Sequence, residues 1–195
     1  MTPAIAKAVF LLLAAGWYVV RFKHARKSRR TPILSSARGP RETALLLISL
    51  TGLGIIPLLY VATGGFPRFA RYTFNPAQAW LGVLVAIAAL VMFHLTHRAL
   101  GRNWSVSLDV RESHKLVTGG IYRRVRHPMY TAFWLWAVAQ ALLLPNWFAG
   151  LSGIVGFGIL FFGRVGREEQ MMLTSFGDEY REYMSRSYRL IPWVY

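Results

Sequence analysis

Residues 130–163 read YTAFWLWAVAQALLLPNWFAGLSGIVGFGILFFG, about 34 positions without one Asp, Glu, Lys or Arg. A membrane-crossing helix needs about 20 mainly apolar residues, so the run is too long for one crossing and short for two. Leu144-Pro145-Asn146-Trp147 interrupts it with turn chemistry. The reading is a tight helical hairpin, 130–143 and 147–163, whose short arms are tilted, partly buried or not fully spanning. Upstream lie three further apolar runs, 3–20, 43–62 and 77–95, each long enough to cross a bilayer. Together they predict an all-α polytopic membrane bundle of about five transmembrane helices. The run 3–20 lacks the basic leader and A-x-A-like cleavage site of a signal peptide, and is read as a retained first helix.

Composition supports lipid as the solvent. Hydrophobic residues make up 54% of the chain, mean hydropathy is +0.35, and charged residues are 16%, against about 25% in soluble domains. Cysteine is absent, which excludes disulfides, zinc–thiolate sites and a thiol nucleophile; no metal site is expected. The net charge of +15 raises nucleic acid as a partner. The basic residues sit at the ends of apolar runs, where anionic headgroups attract them, so membrane lipids are the expected partner and nucleic acid is not. Pro57, preceded by Gly52 and Gly54, predicts a kink in the second helix. Trp17, Trp80, Trp147 and Trp193 lie near run ends and suit an interfacial belt.

Charge also orients the bundle. Twenty of the 23 Lys and Arg fall in 21–41, 98–127 and 164–195; only Lys7, Arg68 and Arg71 fall on the other side of a five-helix arrangement. The positive-inside rule makes the rich side cytoplasmic, with the N-terminus outside and the C-terminus inside. The chain then divides into 1–98, three helices with a basic cytoplasmic loop at 21–42, and 99–195, which holds the hairpin, a cytoplasmic cofactor-binding loop and a C-terminal tail.

The polar residues beyond position 100 gather in two stretches, 114–130 and 164–170, each against the end of an apolar run. Gly119-Gly120 permit a tight turn and close approach of a ligand. Pro128 favours an extended His127 and starts a helix well, which sets His127 at the mouth of the fourth helix. Arg164 and Glu168 are four apart and share a helix face. Ionisable groups at the edge of an apolar helix are functional candidates.

These stretches carry ordered motifs: H-x-L-V-x-x-G-x-Y at 114–122, R-H-P-x-Y at 126–130, R-x-x-x-E-E at 164–169, F-G-x-x-Y-x-x-Y at 176–183, and Ile191-Pro192. Over about 100 residues, from Leu100 to the end, the pattern resembles the isoprenylcysteine carboxyl methyltransferase family, within the wider group that includes membrane phospholipid methyltransferases. The first 95 residues are similar only in having transmembrane helices. The short chain looks like prokaryotic members, which implies a bacterial or archaeal plasma membrane. Two departures stand out: Ala132 replaces a frequent glycine, and a cofactor-contacting glutamine has no counterpart around Ser107 to Asp109.

The resemblance implies S-adenosylmethionine as cofactor, with S-adenosylhomocysteine as product. Carried over position by position, His114, Lys115, Leu116, Val117, Tyr122, His127, Pro128, Met129 and Tyr130 would contact it, and Glu168 would bind its polar end. Arg164 would bind the substrate, and Arg164 and Glu169 are the expected catalytic residues. The implied reaction is carboxyl O-methylation of an isoprenylcysteine-like or other lipophilic acid, small or prenylated. Phospholipid N-methylation, with Glu169 or His127 as base, and a sterol-reductase-like activity are the alternatives.

Overall fold

The computed structural model describes residues 1–28, 33–36, 39–101, 109–111 and 116–195, with side chains for 1–23, 39–101 and 116–195. The expected all-α bundle is borne out. The long helices are α1 (Pro3–Ser28), α2 (Pro40–Leu50), α3 (Ile56–Ala62), α4 (Pro76–Leu100), α5 (Pro128–Leu143) and α6 (Trp147–Ser185). A π-helical turn, Thr51–Ile55, joins α2 to α3 as one span, Pro40–Ala62. The expected kink is therefore this local widening of the helix, and Pro57 lies in the first turn of α3. Two short strands, β1 (Ile33–Ser36) and β2 (Asp109–Arg111), pair antiparallel and tie the α1–α2 connection to the α4–α5 connection.

Helix bounds differ from the apolar runs. Helix α1 continues past residue 20 to Ser28, and α4 extends to Leu100. The largest difference is α6, which does not stop at 163 but runs for 39 residues. Up to Gly177, where the helical path breaks, the arm 147–176 is about 45 Å long at 1.5 Å per residue, half again the hydrocarbon thickness. Its apolar half, 147–163, is the part suited to lipid, and the half from Arg164 onward projects beyond. Among the described residues, four helical spans are long and apolar enough to cross a membrane. Helix α5 has 16 residues, about 24 Å, and lies packed between α4 and α6 with half of its residues buried.

The expected turn is present. Asn146 caps α6 by accepting from the Ala149 amide at 2.9 Å, and its own amide donates to the Pro67 carbonyl at 2.7 Å. Below it, buried Gln140 donates to the Gly52 carbonyl at 3.1 Å, Ala149 at 2.7 Å and Ser152 Oγ at 3.1 Å, while Ser152 Oγ donates to Gly52 at 2.8 Å. Two side-chain donors thus serve a carbonyl within the π-turn, where helical pairing is displaced. Trp17 is half-buried: it stacks on Phe93 at 3.9 Å and packs against the core cluster. Trp80, Trp147 and Trp193 are exposed as a belt requires.

Backbones touch where the π-turn crosses α6. A β-carbon on Gly52 would collide with the Ser152 carbonyl, and one on Gly156 would lie 2.8 Å from the Ile48 carbonyl. Small residues are what permit such close helix packing in lipid. Gly156→Val should lower thermal stability in detergent by about 1–3 kcal/mol, read from fluorescence melting. Gly166→Ala, which meets nothing within 4 Å, should leave the melting temperature unchanged or raise it. Equal behaviour of the two variants would rule out the packing argument.

Candidate functional site

An apolar floor of Tyr130, Phe157, Leu160, Phe161, Val165 and Leu190 closes one end of the bundle. Four segments meet above it: the start of α2, the stretch 116–127, the projecting half of α6, and the tail beyond Ser185. Gly120 takes φ +61, a left-handed conformation suited to glycine, and opens the 3-10 turn Gly120–Arg123. Gly119 and Gly120 are exposed, and a β-carbon on either would meet nothing within 4 Å. Pro128 is the first helical residue of α5 with His127 as its cap, although His127 (ψ 58°) falls short of the extended shape expected.

The tail is fixed by backbone and side-chain bonds. The amides of Arg126 and His127 donate to the carbonyls of Tyr188 and Arg189 at 2.7 and 3.0 Å, and the Tyr188 amide donates to Arg124 at 2.8 Å. Gly177 (φ +54, ψ −125) breaks the helical path of α6. Beyond it, Tyr180 and Tyr183 are buried, and the Tyr183 hydroxyl donates to the Tyr122 carbonyl at 2.6 Å. This explains the F-G-x-x-Y-x-x-Y spacing: the glycine turns the chain, and two tyrosines three apart share its inner face.

On this frame stands a ladder of alternating charges. Glu42, 2% exposed, faces Arg164 Nη1 at 3.2 Å. Arg164 Nε lies 3.9 Å from Glu168, and the Tyr130 hydroxyl donates to the same Glu168 oxygen. His127 Nδ1 is 3.7 Å from the other Glu168 oxygen, and its Nε2 is 3.4 Å from Glu169. Glu169 receives Arg126 Nε at 3.3 Å and a bidentate Arg189, with Nη2 at 2.6 Å and Nε at 3.0 Å. Arg189 also donates to the Tyr195 hydroxyl at 2.9 Å.

The ladder sets protonation. Burial opposes charging of His127, but hydrogen bonds and charge from Glu168 and Glu169 outweigh it and raise its pKa above 6.5. Burial likewise pushes both carboxyls up. His127 with Arg164 and Tyr130 draws Glu168 down to about 2, and His127 with Arg189 draws Glu169 down to about 2. Both carboxylates are thus ionised at neutral pH.

The structure brings Tyr122, His127, Pro128, Tyr130, Arg164, Glu168 and Glu169 together. Leu116, Val117 and Met129 are half-buried in the same stretches. His114 and Lys115 lie outside the described residues, as do Ser107 and Leu108, while Asp109 lies in β2. Ala132 is buried where a glycine is frequent. Sequence reading assigned no role to Glu42, Arg126, Arg189, Tyr180 or Tyr183. A signal for Glu42 existed: it is the one acidic residue before Asp109. Among the described residues, no group of three or more His, Cys, Asp or Glu is disposed to hold a metal.

Residues 80–174 match the profile of the isoprenylcysteine carboxyl methyltransferase family. A probable protein-S-isoprenylcysteine O-methyltransferase of rice (Oryza sativa subsp. indica) is 29% identical over 131 residues, 66% of this chain and 67% of the relative. The Dictyostelium discoideum enzyme is 29% identical over 60% of this chain and 50% of its own length. Arabidopsis thaliana enzyme B is 34% identical over 48% and 49%. The chain therefore spans between half and two thirds of these eukaryotic relatives. A solved structure of a eukaryotic intramembrane Ras methyltransferase superposes with a TM-score of 0.55 at 21% identity, over 95% of this chain and 68% of the other, which shows a shared membrane fold. The resemblance drawn from the motifs is borne out, and the relatives lend no support to the reductase or phospholipid alternatives.

Linkage gives the cluster a pH window. Because the folded pKa of His127 is raised, its contribution is full below 6.5 and is lost as pH rises through the folded value. Because the glutamate values fall from 4.5 to about 2, their contribution is full above 4.5 and is lost as pH falls towards 2. Thermal stability in detergent should hold a plateau between these limits and fall on both sides. His127→Gln should remove the alkaline fall; an unchanged alkaline limb would show that His127 does not carry it.

Proposed function

We propose that this chain, whose residues 80–174 match the profile of the isoprenylcysteine carboxyl methyltransferase family, is an integral membrane methyltransferase. It uses S-adenosylmethionine to esterify the carboxylate of an isoprenylcysteine-like or other lipophilic acid. The observation that carries the reading is Arg164, a guanidinium at the boundary between the apolar and projecting halves of α6, held between Glu42 and Glu168.

The residues fit the cofactor's polar groups. Glu168 keeps 28% of its side chain exposed, so a carboxylate remains open to an ammonium group. Tyr122 and Tyr130 supply aromatic faces suited to a cation, and Leu116, Val117, Pro128 and Met129 supply apolar wall. His114 and Lys115 complete the proposed set. When bound, S-adenosylmethionine supplies a methyl group on a sulfonium sulfur and is left as the neutral thioether S-adenosylhomocysteine once an acceptor oxygen has taken the methyl. Arg164 presents a planar fork that aligns a carboxylate for attack. A carboxylate acceptor is already ionised at neutral pH and needs no base.

That point favours carboxyl over amine acceptors. An ammonium must first lose a proton, and Glu169, with a pKa of about 2 and cations on both oxygens, is a very weak base. In this reading Glu169 serves the reaction as a positioning residue: it draws Arg189, and with it the tail, over the site, which excludes water. The proposed setting is a plasma membrane with the site on the cytoplasmic side, where the soluble cofactor is found.

Calorimetric titration of the detergent-solubilised protein with S-adenosylhomocysteine should show saturable binding, weakened about tenfold or more by Glu168→Ala. Arg164→Lys, which keeps a cation beside Glu42 and Glu168 but loses the fork, should leave that binding within a few-fold and raise KM for a farnesylcysteine acid acceptor. Absence of binding to folded protein would overturn the reading. Transfer to phosphatidylethanolamine but not to the prenyl acid would replace it with N-methylation.

A further inference from the structure

At the bundle end opposite the charge ladder, a second cluster forms at the start of α1, the end of α3 and the loop 63–75. Lys7 Nζ stands 4.7 Å from the centre of the buried Tyr60 ring. Gly65 is buried with φ +119, and a β-carbon on it would meet Arg71 Nη2 at 2.9 Å, Lys7 Nζ at 3.5 Å and the Tyr60 ring at 3.6 Å. The two cationic nitrogens therefore cannot be further apart than the sum of the first two distances. Arg71 is held from behind, since its backbone bridges to Asn146 and its amide donates to Arg68 at 3.2 Å. Its side chain is exposed and that of Lys7 half-buried, so both reach open space.

Two like charges this close repel, and among the described residues neither forms an ion pair with a carboxylate. The eight acidic residues are Glu42, Asp109, Glu112, Glu168, Glu169, Asp178, Glu179 and Glu182. Of those with described side chains, Glu42, Glu168 and Glu169 stand in the ladder, and Asp178, Glu179 and Glu182 lie on the last stretch of α6. The terminal amine and Arg68 add further positive charge here. The loop also exposes Phe66 (68%) and Phe69 (89%). Exposed aromatic side chains beside cations on a membrane-spanning protein suit the headgroup layer, with rings towards the acyl boundary.

We propose that Lys7 and Arg71 form a two-point site for a phosphate-class anion, filled in the membrane by the phosphodiester of an anionic phospholipid. The arginine fork takes two phosphate oxygens and the lysine adds a point charge. The ring of Tyr60 beneath Lys7 keeps the ammonium facing the ligand. Phe66 and Phe69 favour a lipid over free phosphate by lying along its glycerol and acyl start. The site is independent of the methyltransferase reading.

Native mass spectrometry of protein released from phosphatidylglycerol-containing nanodiscs, paired with melting in phosphatidylcholine with and without phosphatidylglycerol, tests the proposal. The wild type should retain one more phosphatidylglycerol than Lys7→Gln/Arg71→Gln, while Arg181→Gln, at the opposite end, should match the wild type. Arg71→Lys keeps the charge without the fork and should retain the lipid less well than the wild type. Melting of the double variant in pure phosphatidylcholine should equal or exceed that of the wild type, because repulsion is relieved. A stabilisation by millimolar inorganic phosphate that the double variant loses would overturn the lipid source in favour of free phosphate. Equal lipid retention by wild type and double variant, or a double variant that unfolds in neutral lipid, would overturn the site.

Discussion

A carboxylate removed from water must be paired, and the pairing of Glu42 with Arg164 is the constraint from which this end of the molecule follows. Glu42 lies in the first turn of α2 and Arg164 where α6 leaves its apolar half. Their contact therefore fixes two helices against each other at a given height. Each later rung is demanded by the one before. Arg164 reaches Glu168, Glu168 requires Tyr130 and His127, and His127 brings Glu169 within reach of Arg126 and Arg189. Three carboxylates stand among three guanidiniums, and His127 is the titratable member that adjusts the balance. Removing an end member leaves a buried charge, so the ladder is more tightly interdependent than a set of surface ion pairs.

The same logic explains which features were legible in the sequence. Apolar runs report solvent, and the spans and the 144–147 turn follow from them without knowledge of any partner. The motif residues are close in sequence to the helix mouths, so their gathering near one another could be expected. Glu42 could not be read this way. It is one acid at the end of a basic loop, and its burial depends on Arg164, far along the chain. Arg126 and Arg189 were visible only as positive charges, because the value of each depends on Glu169.

The length of α6 was missed for a related reason. Arg164-Val165-Gly166-Arg167-Glu168-Glu169 ends the apolar signal and contains a glycine, so it reads as the end of a helix. In the fold, the charged side chains find partners on neighbouring elements, and the helical path continues to Gly177. The kink near Pro57 was legible, but its form was not. A π-turn is stabilised here by Gln140 and Ser152, which donate to the Gly52 carbonyl from other helices.

The continuity of α6 decides which part of the site can yield. Its apolar half is locked by backbone contact at Gly52, Ser152 and Gly156, and no positive φ interrupts it before Gly177. Arg164, Glu168 and Glu169 are thus placed by the packing of the membrane bundle and move only with it. Pro128 likewise ties His127 to α5, which is enclosed by α4 and α6. The tail is held differently, through the Tyr188 and Arg189 backbone bonds and the Arg189–Glu169 pair. Displacing it breaks hydrogen bonds, one partly exposed ion pair and the seat of Leu190 in the apolar floor, whereas displacing α6 would separate packed helix backbones. Of the two, the tail is the part held without packed helix backbones, and Glu169, which receives Arg189, is where it joins the charges carried by α6.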